Sequence, residues 1–260
     1  MIYFCIPAYN EAPTVGLVLW KIRRVLEDSS REYHLIVGDD GSTDATAEVL
    51  APYARALPLT VLRTPERHGY AATVEALLKE ALRQSDRHKR DVAIVLPGDF
   101  SADPAELPEF LKRIDSGADV VVGEATVEGE TDLWQLRVRR WAPRLLGRRA
   151  RVAGVRDVVS GYAAFRLVAL RHAFRDQIGP WLTADGWAAN AQLLAWAAAG
   201  ARSVETVPVV ERAQRHLREH RHRPWERIRA LWSARTQLQA PPADMRPERA
   251  ARATRDKEAA

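Results

Sequence analysis

Three short segments carry the residue types that could bind or move charge. Ile6-Pro7-Ala8-Tyr9-Asn10-Glu11, Gly38-Asp39-Asp40-Gly41-Ser42-Thr43-Asp44 and Pro97-Gly98-Asp99 each set acids beside glycine or proline. Paired acids next to glycine can accept hydrogen bonds from a base or a ribose, and an acid at a sheet edge can hold a divalent cation that bridges phosphates. The plainer reading of residues 39–44 is a turn in which Ser42 or Thr43 caps the next helix. Neither G-x-G-x-x-G nor G-x-x-x-x-G-K-[ST] occurs, so the common dinucleotide and ATP motifs are not supported. His216 and His220 stand at a metal-ligand spacing for a helix, with His222 close by. No acid completes an H-E-x-x-H arrangement and arginines surround them, so they read as solvated side chains or contacts to a donor phosphate. His68, just before Gly69-Tyr70, reads as structural or nucleotide-adjacent, and Cys5 as a small core residue.

These segments need a scaffold, and the first half of the chain supplies the pattern of one. Met1–Ile6, Tyr33–Val37, Leu57–Leu62, Val92–Leu96 and Val120–Gly123 are short apolar runs that read as buried strands. Pro13–Leu26, Thr43–Ala54, Ala71–Arg83 and Pro104–Ile114 between them have apolar residues at helical spacing, as in Val15, Val18, Leu19, Ile22 and Leu26. Strand and helix alternating in this way give a parallel sheet covered on both faces, the α/β doubly wound class. In such sheets ligands bind beyond the carboxyl ends of the strands, where all three segments fall. Past Gly123 the rhythm breaks. Val155–Leu167 reads as one or two strands around Gly161, Asp185–Ala199 as an alanine-rich helix, Ser203–Val210 as a strand and Leu217–Leu238 as a basic helix. The stretch Trp187–Ala199 reads as close helix packing and not as a site. From Pro241 the chain loses apolar periodicity and reads as disordered.

Composition limits the class. With 260 residues, 47% hydrophobic and 28% charged, the chain can bury a full core without disulfides or a structural metal. A single cysteine cannot form an internal disulfide, which fits a reducing compartment. Met1–Pro7 is too short an apolar run for a signal peptide, and no stretch reaches the length of a spanning helix. The net charge is +5, but it is gathered: residues 137–151 hold seven arginines and no acid, and residues 212–229 hold seven against Glu219 and Glu226. Positive charge collected in two places points to an anionic partner.

Taken together, the first three segments resemble the nucleotide-sugar half of family 2 glycosyltransferases with the GT-A fold. Gly117-Ala118-Asp119-Val120-Val121-Val122-Gly123 and Asp157–Arg166 (DVVSGYAAFR) are similar to segments of the dolichol-phosphate mannose synthase branch. The resemblance covers roughly residues 1–212 and implies a division into a nucleotide-sugar-binding half, 1–123, and an acceptor-binding half, 124–212, of one domain. A basic amphipathic helix, 213–238, and a disordered tail, 239–260, follow. Position by position it implies that Pro7, Tyr9 and Glu11 line the nucleotide pocket and that Asp39 and Asp40 read the base and ribose. Asp99 matches the last acid of an Asp-x-Asp element that holds Mg²⁺ or Mn²⁺ on the diphosphate. Thr183-Ala184-Asp185-Gly186-Trp187 resembles an acceptor-side Thr-Glu-Asp element, which makes Asp185 the catalytic base for a hydroxyl acceptor, or a positioning group for a phosphate acceptor. Ser160, Arg166 and Arg212 are the residues implied for acceptor or phosphate binding.

The chain departs from that pattern at three places. Pro97 stands where the first metal-binding acid usually does, and Ala125 and Ala163 stand where phosphate-binding arginines are common. The series Trp134, Val138, Trp141, Leu145, at i, i+4, i+7 and i+11 among arginines, suits a helix lying on a membrane or a core-packing helix with an arginine-rich outer side. Trp225, Ile228 and Trp232 allow the same two readings, and exposed tryptophans equally suit a homodimer interface. No nucleic-acid-binding signature accompanies the arginines, so a nucleic acid partner is not expected. The resulting expectation is metal-assisted, inverting transfer of a hexose from a nucleoside diphosphate sugar to a polyprenyl-phosphate acceptor. The enzyme would be cytoplasmic and peripheral on the inner face of the cell membrane. Two alternatives stay open: a soluble small-molecule or glycan acceptor, and a non-catalytic nucleotide-sugar-binding protein with a degenerate metal element.

Overall fold

Ile2, Phe4 and Ile6 face one side of the first strand and Tyr3 and Cys5 the other, and both sets are buried. A strand buried on both faces belongs in the middle of a covered sheet. The computed structural model describes residues 1–27, 29–127, 133–211 and 224–241. Strands β1 (Ile2–Ala8), β2 (Tyr33–Asp40), β3 (Leu59–Thr64), β4 (Val92–Val95), β5 (Val120–Val127), β6 (Ala163–Arg166) and β7 (Val204–Glu211) form one sheet in the order β3-β2-β1-β4-β6-β5-β7. β6 runs antiparallel to both of its neighbours, β4 and β5, and the other pairings are parallel. Helices α1 (Val15–Val25), α2 (Thr46–Ala56) and α4 (Leu107–Asp115) cover the face of Ile2 and Phe4. Helices α3 (Tyr70–Gln84), α5 (Leu133–Leu145), α6 (Leu167–Phe174), α7 (Gly186–Ala199) and α8 (Pro224–Ala234) cover the opposite face. This is the doubly wound, mostly parallel α/β arrangement that the alternation predicts.

The strand order reverses between β1 and β4, and in doubly wound sheets the crevice beyond the carboxyl ends at such a switch point is where ligands bind. The chain is tight there: the Gly98 N–H donates to the Pro7 carbonyl at 3.3 Å. A Cβ at position 98 would stand 2.7 Å from that same carbonyl oxygen, closer than any side chain tolerates. Gly98→Ala therefore forces the backbone apart at the centre of the crevice. The expected result is a loss of about 1–3 kcal/mol of stability, the usual cost of overpacking, read as a lower midpoint in urea unfolding.

Several boundaries differ from the sequence reading. The third strand lies at 59–64, two residues later than the apolar run. Of Val155–Leu167 only Ala163–Arg166 is extended, and Leu167–Phe174 turns into a helix because Leu167, Leu170 and Phe174 all reach the core. The basic helix occupies Pro224–Ala234, while residues 212–223 and the tail 242–260 lie outside the described residues. The tryptophan series on α5 is split. Val138, Ala142 and Leu146 form the buried face, whereas Trp134 and Trp141 are 52% and 61% exposed. At about 100° per residue the buried face centres on Ala142, and Trp134 and Trp141 lie about 80° and 100° to one side of it. Among the described residues, no helix is long and apolar enough to cross a membrane.

Candidate active site at the strand ends

The loop after β1 and the loop after β2 are fastened to each other. Asn10, at φ 54°, accepts through Oδ1 from the Thr43 N–H at 2.7 Å and the Asp44 N–H at 3.2 Å. Its own N–H donates to Ser42 Oγ at 2.8 Å, and the Glu11 N–H donates to Thr46 Oγ1 at 2.8 Å. Asparagine is one of the few residues that tolerate this left-handed backbone, and here it crosslinks two strand ends. Ser42 and Thr43 thus serve the inter-loop contact, and α2 begins without a side-chain cap from either. Glu11 is buried and accepts from Thr14 Oγ1 at 2.8 Å, and Arg67 lies 4.0 Å over the Tyr9 ring. Pro7, Tyr9 and Glu11 thus stand at the carboxyl end of β1 and in the loop that follows it.

The paired acids divide their work. Asp40 accepts from the His68 N–H at 2.7 Å and the Gly69 N–H at 2.8 Å, so it fixes the turn into α3. Asp39 accepts from the Ser42 N–H through Oδ1 at 3.1 Å. Its buried Oδ2 has no hydrogen bond, although Arg63 Nε stands 3.3 Å away. A buried carboxylate oxygen beside a cation and short of a hydrogen bond is an acceptor open to a ligand's N–H or O–H. Of the two, only Asp39 keeps a carboxylate oxygen without a hydrogen bond.

The start of α3 gathers the rest. Asp185 Oδ1 accepts from the Ala71 N–H at 2.8 Å, so carboxylates from β2 and from the start of α7 meet on the amides of one helix end. The positive end of α3 favours both charges. Glu75, one turn into α3, accepts from the Trp181 N–H at 2.7 Å and the Leu182 N–H at 3.2 Å, and so positions the segment that carries Asp185. Tyr70 donates to Asn190 Oδ1 at 2.8 Å, and Asn190 Nδ2 donates to the Val159 carbonyl at 3.1 Å. Burial pushes the Tyr70 phenol well above its usual pKa; the Asn190 hydrogen bond opposes this, and the negative charges of Asp99 and Asp185 add to it. Tyr70 thus feels the charges of both acids and stays protonated. The sequence reading passed over Tyr70, Glu75 and Asn190. Trp187–Ala199 is the closely packed helix that the sequence suggests, and within it Asn190 is a buried polar residue bonded to Tyr70 and Val159.

Asp99 accepts from the Ser101 N–H at 2.9 Å, and the next residue, Phe100, has φ 59°. A bulky residue in that region stores strain, of the kind that clusters at ligand sites. Among the described residues no three acids, histidines or cysteines converge, and Pro97 offers no donor atom. One carboxylate suits a Mg²⁺ or Mn²⁺ ion that keeps its waters and takes its remaining ligands from phosphates. The donor set therefore fits a metal that arrives with a nucleotide. Pro97→Asp is expected to strengthen metal binding by about tenfold, seen as a lower Mn²⁺ concentration for half-maximal nucleotide-induced thermal stabilisation.

The residues implied for acceptor binding do not all join this cluster. Arg166 donates to the carbonyls of Ala118 at 3.0 Å and Lys89 at 3.3 Å, and pairs in register with Val92, at the opposite end of β4 from Asp99. It braces the far edge of the sheet beside Asp119. Ser160 Oγ accepts from the Tyr162 N–H and donates to the Tyr162 carbonyl, both at 3.2 Å, so its hydroxyl closes a local turn. Arg212 and the histidines 216, 220 and 222 lie outside the described residues. A different arginine stands near Ala125: Arg139 Nη1 is 2.9 Å from Asp157 Oδ2, which also accepts from the Ala125 N–H at 3.3 Å. Arg139 and Arg227 lie 5.0 and 4.6 Å from the centre of the Trp187 ring, two residues beyond Asp185.

Comparison with known proteins agrees with this architecture. Residues 3–174 match the family described as Glycosyl transferase family 2. The chain is 29% identical over 172 residues to polyprenol monophosphomannose synthase of Mycolicibacterium smegmatis, covering 62% of this chain and 60% of that protein. It is 27% identical over 166 residues to dolichol-phosphate mannosyltransferase of Pyrococcus furiosus, covering 62% of this chain and 45% of that protein. The matches thus span less than two thirds of either relative. The fold is similar to glucosyl-3-phosphoglycerate synthase of Mycobacterium tuberculosis, solved with Mn²⁺, UDP and glucosyl-3-phosphoglycerate. The TM-score is 0.61 at 21% identity, over 94% of this chain and 81% of that one.

Proposed function

The chain belongs to glycosyl transferase family 2, and we propose that it transfers a hexose from a nucleoside diphosphate sugar to a polyprenyl-phosphate acceptor with inversion. The observation that supports the reading is that Asp39 and Asp99 stand at the carboxyl ends of β2 and β4, on either side of β1, while Asp185 is held on the start of α3, whose Tyr70 feels the charges of both Asp99 and Asp185. Pro7, Tyr9 and Glu11 wall the nucleotide, and Asp39 Oδ2 accepts from its base or ribose. Asp99 would hold a Mg²⁺ or Mn²⁺ ion, which would supply neutralisation of the charge developing on the leaving diphosphate. The acceptor oxygen enters on the Asp185 side and forms the new bond to the anomeric carbon. The bond to the diphosphate oxygen breaks, and its electron pair leaves with the nucleotide. Asp185 takes the proton of a hydroxyl acceptor, or only orients an acceptor that is already an oxyanion.

The names of the two curated relatives support a polyprenyl or dolichol phosphate acceptor. Trp225 and Trp232, 74% and 60% exposed among arginines on α8, support peripheral contact with the cytoplasmic membrane face. One observation favours a soluble acceptor instead: Arg166 is at the wrong end of the sheet, and positions 125 and 163 are alanine. The test supplies UDP-, GDP- and dTDP-hexoses with Mn²⁺ and offers polyprenyl phosphate in vesicles or a soluble sugar acceptor. Label recovered in the lipid phase establishes the proposal. Label transferred only to the soluble acceptor moves the function to the second reading, and no transfer or donor hydrolysis leaves a nucleotide-sugar-binding protein without catalysis.

A further inference from the structure

Several arginines of residues 137–151 gather where α5 ends and the following turn begins. Arg144, Arg148, Arg149 and Arg151 line one side of a cleft of about 660 Å³, and Arg235 and Trp232, from the end of α8, line the other. All five guanidinium groups are on exposed residues, and no described carboxylate lines the cleft. None of the five is in an ion pair among the described residues, in contrast to Arg139, Arg166 and Arg202 of the same half. Arg149 Nη1 donates to the Leu238 carbonyl at 3.1 Å, which fixes the floor. Gly147, at φ 79°, turns the chain at the cleft, and a Cβ there would stand 3.3 Å from Arg235 Nε. A side chain at 147 would therefore crowd the one arginine contributed by the facing helix.

Five like charges around one cleft repel one another unless a counter-charge enters. Guanidinium forks match phosphate oxygens two at a time, and the volume is that of an ordinary ligand pocket. A divalent cation is excluded by the same charges. The cleft shares no lining residue with the crevice at the strand ends. Its lining on the two helices, Arg144 and Trp232, begins five residues beyond Arg139 and Arg227, about 7.5 Å at helical rise, and continues past the ends of α5 and α8. We propose that it is a second anion site, built for a multiply charged phosphate group, whether carried by an anionic phospholipid headgroup or free as pyrophosphate. The segment it touches is tied onward, since Thr183 Oγ1 donates to the Gln237 carbonyl at 2.6 Å, two residues before Asp185. The assignment does not depend on which sugar or acceptor the strand-end crevice takes.

The test uses the full chain without divalent metal at low ionic strength. Pyrophosphate is titrated by calorimetry, and flotation is compared on phosphatidylcholine vesicles with and without phosphatidic acid. The same is done for R144Q/R148Q/R235Q, with a circular dichroism melt to establish that it folds; R148Q alone, on an exposed turn, replaces it if it does not. Binding that weakens by about tenfold or more for each guanidinium removed supports the site. Pyrophosphate binding assigns the free-phosphate source, and flotation only with phosphatidic acid assigns the headgroup. Binding that is unchanged in the folded variant, or absent from both arms in the native protein, overturns the proposal.

Discussion

Asp99→Asn is expected to lower sugar transfer by about 10³-fold and to remove the stabilisation that Mn²⁺ adds to nucleotide binding. The substitution is narrow. Asparagine keeps an oxygen for the Ser101 N–H, so the turn that holds Phe100 at φ 59° persists while the charge is lost. Removing one group that stabilises charge in a transition state commonly costs about 10²–10³-fold. The upper end applies here because Pro97 supplies no second carboxylate to share the metal. Initial rates at saturating donor, together with thermal shifts for the matching nucleotide with and without Mn²⁺, measure both effects. Activity within about tenfold of native would take Asp99 out of the metal role and leave the diphosphate to nearby cations such as Arg63 and Arg67.

How much of this site the sequence discloses depends on how local each residue's task is. Asp39, Asp40 and Asp99 follow directly on apolar strand runs, so their place at the carboxyl ends is readable from pattern alone. Asp185 precedes a long apolar helix and is placed the same way. Tyr70 and Asn190 meet across 120 residues, and Glu75 reaches Trp181 across 106; no periodicity announces contacts of that kind. Arg166 shows a sharper failure. A four-residue strand has no readable direction, and β6 alone runs against the sheet. Its last residue therefore lands beside Val92, where β4 begins, and a motif-based role at the strand ends becomes a structural one. The division of labour between Asp39 and Asp40 was equally hidden, since two adjacent acids in one strand point to opposite sides and only the fold decides which side is the crevice.

Asp185→Asn separates the two acceptor classes by the size of its effect. The substituted side chain can still accept from the Ala71 N–H, so the start of α3 and the segment held by Glu75 keep their places. What disappears is the ability to take a proton. For a hydroxyl acceptor that ability is worth up to about 10⁴-fold in kcat. The residual rate should then climb as pH rises and solvent base takes over. For a phosphate acceptor the attacking oxygen already carries its charge above a second pKa of about 6. Only positioning is lost, a cost of about 10²-fold, and the residual rate is flat above that pH. The expected result for this protein is the smaller, pH-flat loss, because the proposed acceptor is a phosphate. A fall approaching 10⁴-fold that recovers with pH would assign a hydroxyl acceptor. Arg166 bracing the far edge of the sheet, and alanine at 125 and 163, would then follow from the absence of an acceptor phosphate to bind.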